Sequence, residues 1–518
     1  MKYPKSTYKG ILTGFIFILA VSWTGCTKNF EERNTSPAGL ETLDATDLKS
    51  LFPTALYNGW NIAFQTGQNL TAGMYSQYFN CTQVAFASHR YVINQQWMAS
   101  TWTGLYVSTM PAVVNIIDNS KDLPTMNAIA RIWKVYILNR YTDYFGPIPY
   151  SQIGKFKEGE GVAYDSQKDI YYDFFKELTE ASKLLKENMA KPSFGDKDLI
   201  FKGDNAKWLK FANTLRLRLA LRISFVEPAK AKAEAEAAYA DGVMLSSSDD
   251  AFMAASAATR NYLNYISAWN EFRMSANMES LLVGYKDPRL PLFFSPAKAD
   301  GKYRGGRNGM IPAEQTVGFN TYDYTSDLGP RFNPSLMNTN PLIVLVSAEA
   351  YFLRAEGAMN GWNMGGTAKD LYEKGIETSM RTWGISDASV ITTYINGTSL
   401  PIAPAPENGW NTPPLTDIPV KFSTVEEKQR EQIGTQKWLA IYPSDMEAWA
   451  EMRRTGYPKM YPLIHSDNDD MPKDKMIRRI VFTDKDREAN AKAVNAAIAL
   501  LGPGGDKVST RLWWDVKP

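Results

Sequence analysis

Histidine is nearly absent: His89 and His465 are the only two in 518 residues. That excludes most multi-histidine zinc sites and leaves little side-chain chemistry titrating near neutral pH. Cysteine is equally scarce, with Cys26 and Cys81 alone, so no disulfide framework exists. Also missing are an HExxH metal motif, a GxSxG nucleophile elbow, a P-loop and a GxGxxG fingerprint; Gly502-Pro503-Gly504-Gly505 is a turn without P-loop spacing. Phosphate and nucleotide chemistry are therefore disfavoured. No charge of one sign dominates, with 57 basic against 55 acidic side chains and no long block of either, which removes the electrostatic footprint of a nucleic-acid binder. Past the first 25 residues, no stretch approaches the roughly 18 consecutive apolar residues of a membrane span.

What is present is apolar and aromatic material in quantity. Hydrophobic residues make up 44% of the chain and aromatics 13%, including 14 tryptophans and 27 tyrosines. Such a chain buries a sizeable core, as one large domain or two fused ones. The aromatic surplus leaves rings free to act as exposed flat surfaces, which suits a sugar or peptide ligand.

The amino terminus sets the compartment. Lys2, Lys5 and Lys9 precede an apolar stretch, 11–21, too short to span a bilayer, so residues 1–25 read as a secretory signal. Thr24-Gly25-Cys26 closes it in the manner of a bacterial lipobox, with Trp23 standing where an aliphatic residue is usual. Cys26 is the expected lipidation site. Each buried CH₂ of an acyl chain such as palmitate adds about 0.8 kcal/mol, and two or more chains anchor stably. Residues 26–40, polar and containing Pro37 and Gly39, form the tether, and 41–518 the folded domain. With Cys26 acylated, Cys81 reads as a small buried hydrophobe.

Helical periodicity recurs along the domain. In 166–188, Ile170, Phe174, Leu178, Ala181 and Leu185 line one face, with Asp165 and Ser166 as N-caps. In 205–224, the stripe Trp208, Phe211, Ala212, Leu215 and Leu219 also contains Arg222, which requires a buried carboxylate such as Glu349, Glu356 or Glu447. Segments 347–360 and 367–383 form a helical hairpin around the turn 361–366, with Gly375 permitting close approach; such pairs resemble tetratricopeptide units. Ser444 and Glu447 have capping-box spacing before a helix stopped by Gly456 and Pro458. Two long Gly/Pro/Asn-rich stretches, 295–340 and 385–422, read as functional loops. Asp467-Asn468-Asp469-Asp470 lacks the glycine and terminal glutamate of an EF-hand and reads as a solvated loop, with a structural Ca²⁺ left open.

Separate blocks then converge. Tyr141-Thr142-Asp143-Tyr144-Phe145-Gly146-Pro147-Ile148-Pro149-Tyr150-Ser151, the run Lys210–Ala220, Asp287-Pro288-Arg289-Leu290, Phe352-Leu353-Arg354-Ala355-Glu356, Arg453-Arg454-Thr455-Gly456-Tyr457-Pro458, Arg478-Arg479-Ile480 and Trp513-Trp514-Asp515 together resemble the SusD/RagB surface lipoproteins, in order and spacing, over essentially the whole mature chain. The resemblance is closest to the SusD-like type 2 branch. It implies a mostly α-helical fold, a superhelix with tetratricopeptide-like pairs plus an irregular, loop-rich ligand-binding part. It also implies a binding protein, not an enzyme, held at the outer membrane by its lipid and seated over a SusC-like TonB-dependent β-barrel transporter. The cargo is an oligosaccharide, or alternatively a peptide; a surface hydrolase is the third reading, since 55 acidic residues always contain some carboxylate pair at glycosidase spacing. No cofactor follows from the resemblance.

Relatives draw ligand-site aromatics from the segment before the first strong block and from mid-chain loops. Here that points to His89, Tyr91, Trp97 and Trp102, then Tyr262, Tyr265, Trp269 and Tyr303. Trp102 has helical spacing with Leu105 and Tyr106 and reads as core. Trp97, bordered by Asn94, Gln95 and Gln96, is the leading candidate.

Overall fold

In chain order the long helices are α1 (Ala45–Asn61), α2 (Gln95–Thr103), α3 (Met110–Asn119), α4 (Pro124–Phe145), α5 (Gln167–Glu187), α6 (Asn205–Arg222), α7 (Pro228–Ala240), α8 (Ser347–Met359), α9 (Ala368–Thr382), α10 (Glu426–Ala440) and α11 (Asp445–Thr455). The computed structural model describes residues 43–155, 161–404 and 409–517; the signal 1–25, Cys26 and the tether to 40 lie outside the described residues. Contacts divide the chain into Met1–Asp44 and Ala45–Pro518, and these helices belong to the second unit.

Helix α4 is buried over most of its surface from Met126 through Phe145, with Asn127, Arg131, Lys134 and Arg140 half-buried. It therefore carries no amphipathic stripe, and it sits at the centre, packing on α3, α5, α6 and α11. Consecutive helices pair as hairpins, α4 with α5, α6 with α7 and α8 with α9. Their ends follow local chemistry. The Ser166 hydroxyl accepts the Asp169 N–H at 3.1 Å to start α5, and Asp204 accepts two N–H groups to start α6. Between α8 and α9, a Cβ on Gly375 would lie 2.8 Å from the Phe352 ring, so the missing side chain sets the helix spacing. Gly456 ends α11 at φ 77°, its N–H returning to the Met452 carbonyl.

Where α6, α8, α10 and α11 meet, the core is ionic. Arg222 is wholly buried; its Nη1 donates to Glu451 at 2.6 Å, its Nη2 to Glu447 at 2.7 Å, and its Nε lies 3.3 Å from Asp143. Of the three glutamates expected for it, Glu447 alone pairs with it. Glu349 instead takes Arg218, one turn earlier on α6, through two bonds of 2.6 and 2.7 Å, and Glu356 takes Arg454. Lys437 reaches Glu451 at 2.9 Å. The same pairing explains why the expected Ser444–Glu447 box does not form: Ser444 makes no side-chain cap, because the Glu447 carboxylate is drawn inward to the guanidiniums.

The remaining part is irregular. Segment 295–340 holds one four-residue helix, Pro312–Gln315, and a succession of short 3₁₀ turns, and 385–404 contains one short helix, Ala388–Ile395. Two small antiparallel ladders tie it together: β1 (Phe79–Cys81) pairs with β3 (Phe272–Met274), and β2 (Ala251–Met253) with β4 (Leu342–Leu345). The β1–β3 ladder brings residues 82–84 beside residues 269–271. Cys81 is buried, and burial pushes its thiol up to about 12.

Candidate ligand-binding site

Tyr262, Tyr265 and Trp269 form one chain of rings. Asn261 caps the short helix Tyr262–Ile266 by accepting the Leu263 N–H, and the 3₁₀ turn Ser267–Trp269 continues it. The four-residue step from Tyr265 to Trp269 keeps their rings on one side, with centroids 5.2 Å apart at 70°; Tyr262 meets Tyr265 edge-on at 5.4 Å. Behind them Phe64 approaches Tyr262 at 6.0 Å, from a nine-residue π-helix (Phe64–Ala72) entered through the left-handed Ala63. The Arg260 guanidinium lies over the Tyr265 ring at 5.0 Å. At the open end, Trp269 remains 38% exposed and nearby Tyr322 46%.

Polar groups surround these rings. Gln65 donates to the Glu271 carboxylate at 2.7 Å, and burial raises that carboxyl above its ordinary range. The Thr82 hydroxyl donates to the Asn270 carbonyl at 2.7 Å, which fixes the 82–84 segment against the Trp269 turn. An open cleft of about 370 Å³ lies between them, lined by Thr82, Gln83, Trp269, Gln315, Thr321 and Tyr322. That volume lies within the range of small-ligand pockets. Flat apolar faces bordered by amides and hydroxyls can cover the C–H face of a pyranose and meet its hydroxyls.

The other expected residues are placed differently. His89 is 1% exposed; its Nδ1 accepts the Gly309 N–H at 3.2 Å, and desolvation with the adjacent Arg90 charge holds the imidazole down to about 3. Tyr91 is buried, packed edge-on against Tyr75, with its hydroxyl donating to the Lys475 carbonyl. Trp97 is half-buried on α2, T-shaped against Phe86 at 5.2 Å; Phe86 belongs to the turn whose Gln83 lines the cleft. Trp102 packs on Tyr106 and Phe145, as its spacing indicates. Tyr303 is half-buried in a separate turn and makes no ring contact with the Tyr262–Trp269 chain. In the 467–470 loop, Asp467 pairs with Arg90 and Asp470 with Lys507.

The family model for SusD-like proteins, described as SusD and RagB outer membrane lipoprotein, matches residues 43–515. The chain belongs to the SusD/RagB family. Among solved structures, a chitin-binding SusD homologue from Flavobacterium johnsoniae is 34% identical, with a TM-score of 0.83 covering 91% of this chain and 99% of that one. A SusD-like protein from Bacteroides thetaiotaomicron VPI-5482 is 33% identical, TM-score 0.80, over 90% and 99% of the two chains. A further structure, of a chitin-binding protein, is 28% identical, TM-score 0.76, over 91% and 100%. No curated protein matches. The mostly helical SusD-like architecture expected from the sequence is the one observed, and no helix among the described residues is long and apolar enough to cross a membrane.

Several polar groups around this candidate site carry no signal in the sequence. Gln315, Thr321 and Tyr322 lie in the loop 295–340, whose composition marks a loop but not which side chains line a cleft. Thr82 and Gln83 reach the site only through a three-residue strand, too short for a period-two pattern.

Proposed function

We propose that this protein is a surface-displayed glycan-binding lipoprotein that captures oligosaccharides, β-1,4-linked N-acetylglucosamine chains foremost, and passes them to a SusC-like TonB-dependent β-barrel without altering them. The observation that carries this reading is the exposed Trp269 indole, which ends a ring chain and stands beside hydroxyl and amide side chains. Two similar structures described as chitin-binding support the choice of sugar. One aromatic face covered by a sugar contributes about 2 kcal/mol gross, so several contacts are needed to reach micromolar affinity after the costs of association. Acylation at Cys26 would tether the domain and keep its concentration near the barrel high.

Calorimetric titration with N-acetylglucosamine oligomers, with cello-oligosaccharides and with a peptide mixture tests the ligand class. Binding of the first, with the sugar recovered intact by mass spectrometry, is expected. Binding confined to peptides would replace the glycan by a peptide cargo, and cleavage of the sugar would make the protein a hydrolase.

A further inference from the structure

A second cleft adjoins the Trp269 turn. It encloses about 270 Å³ and is lined by Ser267, Asn270, Ser295, Asp327 and Asn333 among others. Asn270 lines both clefts, so the residues 267–270 form the wall between them. This wall is unusually constrained. Asn270 has φ 57°, in the left-handed region that a non-glycine residue seldom adopts, and it is held from two directions. Thr82 binds its carbonyl, and Arg273 donates from Nη2 to its side-chain oxygen at 2.5 Å.

Arg273 also connects the two clefts. It is buried on β3, its Nη1 lies 3.4 Å from Asp327 of the second cleft, and its guanidinium faces the Tyr322 ring of the first at 5.8 Å. Its Nε has no hydrogen-bond partner. In the first cleft the buried Gln315 is anchored by its amide nitrogen to the Cys81 carbonyl, while its Oε1 is left without a partner. A buried acceptor without a donor is destabilising. The Gln315 side chain lines the first cleft together with Thr321 and Tyr322, so a ligand there lies against it.

We infer that the two clefts are one extended site, organised by Arg273, for an oligomer that crosses Trp269 and places a sugar unit in each cleft. The inference rests on the glycan reading above and adds to it that three units are needed to occupy both clefts at once, with Arg273 as a positioning residue. Shorter ligands fill Trp269 and one cleft, on either side.

The test is calorimetric titration of the full mature chain with N-acetylglucosamine oligomers of two to six units. The variants are Gln315→Met in the first cleft, Asn333→Ala in the second, and both together. Wild-type affinity should rise at least tenfold from two to four units. Each single variant should remove fivefold or more from the longer oligomers and less than twofold from the disaccharide, which can move to the intact side; the double variant should weaken both. Equal affinity for two and six units, or equal losses at all lengths in the single variants, overturns the extended site while leaving the glycan reading intact. Absence of binding at every length, with native circular dichroism, overturns both.

Discussion

Arg218 and Glu349 lie side by side in the helical core, joined by two parallel hydrogen bonds of 2.6 and 2.7 Å with both side chains buried. This geometry satisfies the planar guanidinium and both carboxylate oxygens at once. Removing one partner leaves a buried charge uncompensated, which costs about 3–5 kcal/mol. Arg218→Met should therefore lower urea-unfolding stability by about that much, and Arg218→Met combined with Glu349→Leu should recover a large part of it. Equal stabilities of the single and double variants would show that the pair is not coupled.

His89 makes stability depend on pH. Its folded-state value of about 3 lies below the ordinary 6.5, so the folded protein binds the proton less readily than the unfolded chain. The associated stability is fully present above pH 6.5 and is lost as pH falls toward 3, by about 5 kcal/mol in the limit. In His89→Gln the slope of unfolding free energy between pH 6 and 4 should be shallower by close to one proton. An unchanged slope would mean that the imidazole already titrates normally in the fold.

Gly375 faces the Phe352 ring so closely that Gly375→Ala must displace that ring or one of the two helices. Overpacking of this kind costs about 1–3 kcal/mol. The melting temperature should fall, and replacing Phe352 by Leu in the same chain should return part of the loss. A melting temperature equal to the parent's would show that the helices separate without cost.

Trp269→Ala should weaken oligosaccharide binding by about thirtyfold, equivalent to roughly 2 kcal/mol, with little change in melting temperature because the indole is partly exposed. Trp97→Ala acts through Phe86 and the Gln83 turn, so its loss in affinity should be smaller and accompanied by some loss of stability. The reverse order of the two effects would move the ligand toward Trp97.

Cys26→Ala should release the protein from the membrane fraction and abolish incorporation of labelled palmitate. Retention of both would assign the anchor elsewhere.

The helical part was largely legible in the sequence because its signals are local. Ser166, Asp204 and Thr367 cap where capping residues belong, and the stripe of α5 has the period of one buried face. Helix α4 escaped periodicity because it is buried over most of its surface and has no exposed polar side to contrast. Arg222 announced a carboxylate, but periodicity could not say which, since Glu447 and Glu451 both fall within its reach. The site was legible only in its aromatics: the four-residue step from Tyr265 to Trp269 is visible, whereas the approach of Thr82 to Asn270, 188 residues away, is a property of the folded chain.

The clamped Asn270 wall bears on how the protein exchanges cargo. A surface held in shape before a ligand arrives pays little ordering entropy when one docks, so association does not wait for a rearrangement and departure does not require one to be undone. For a receptor whose task is to hand material onward, rigidity at this turn favours rapid turnover of ligand over tight retention.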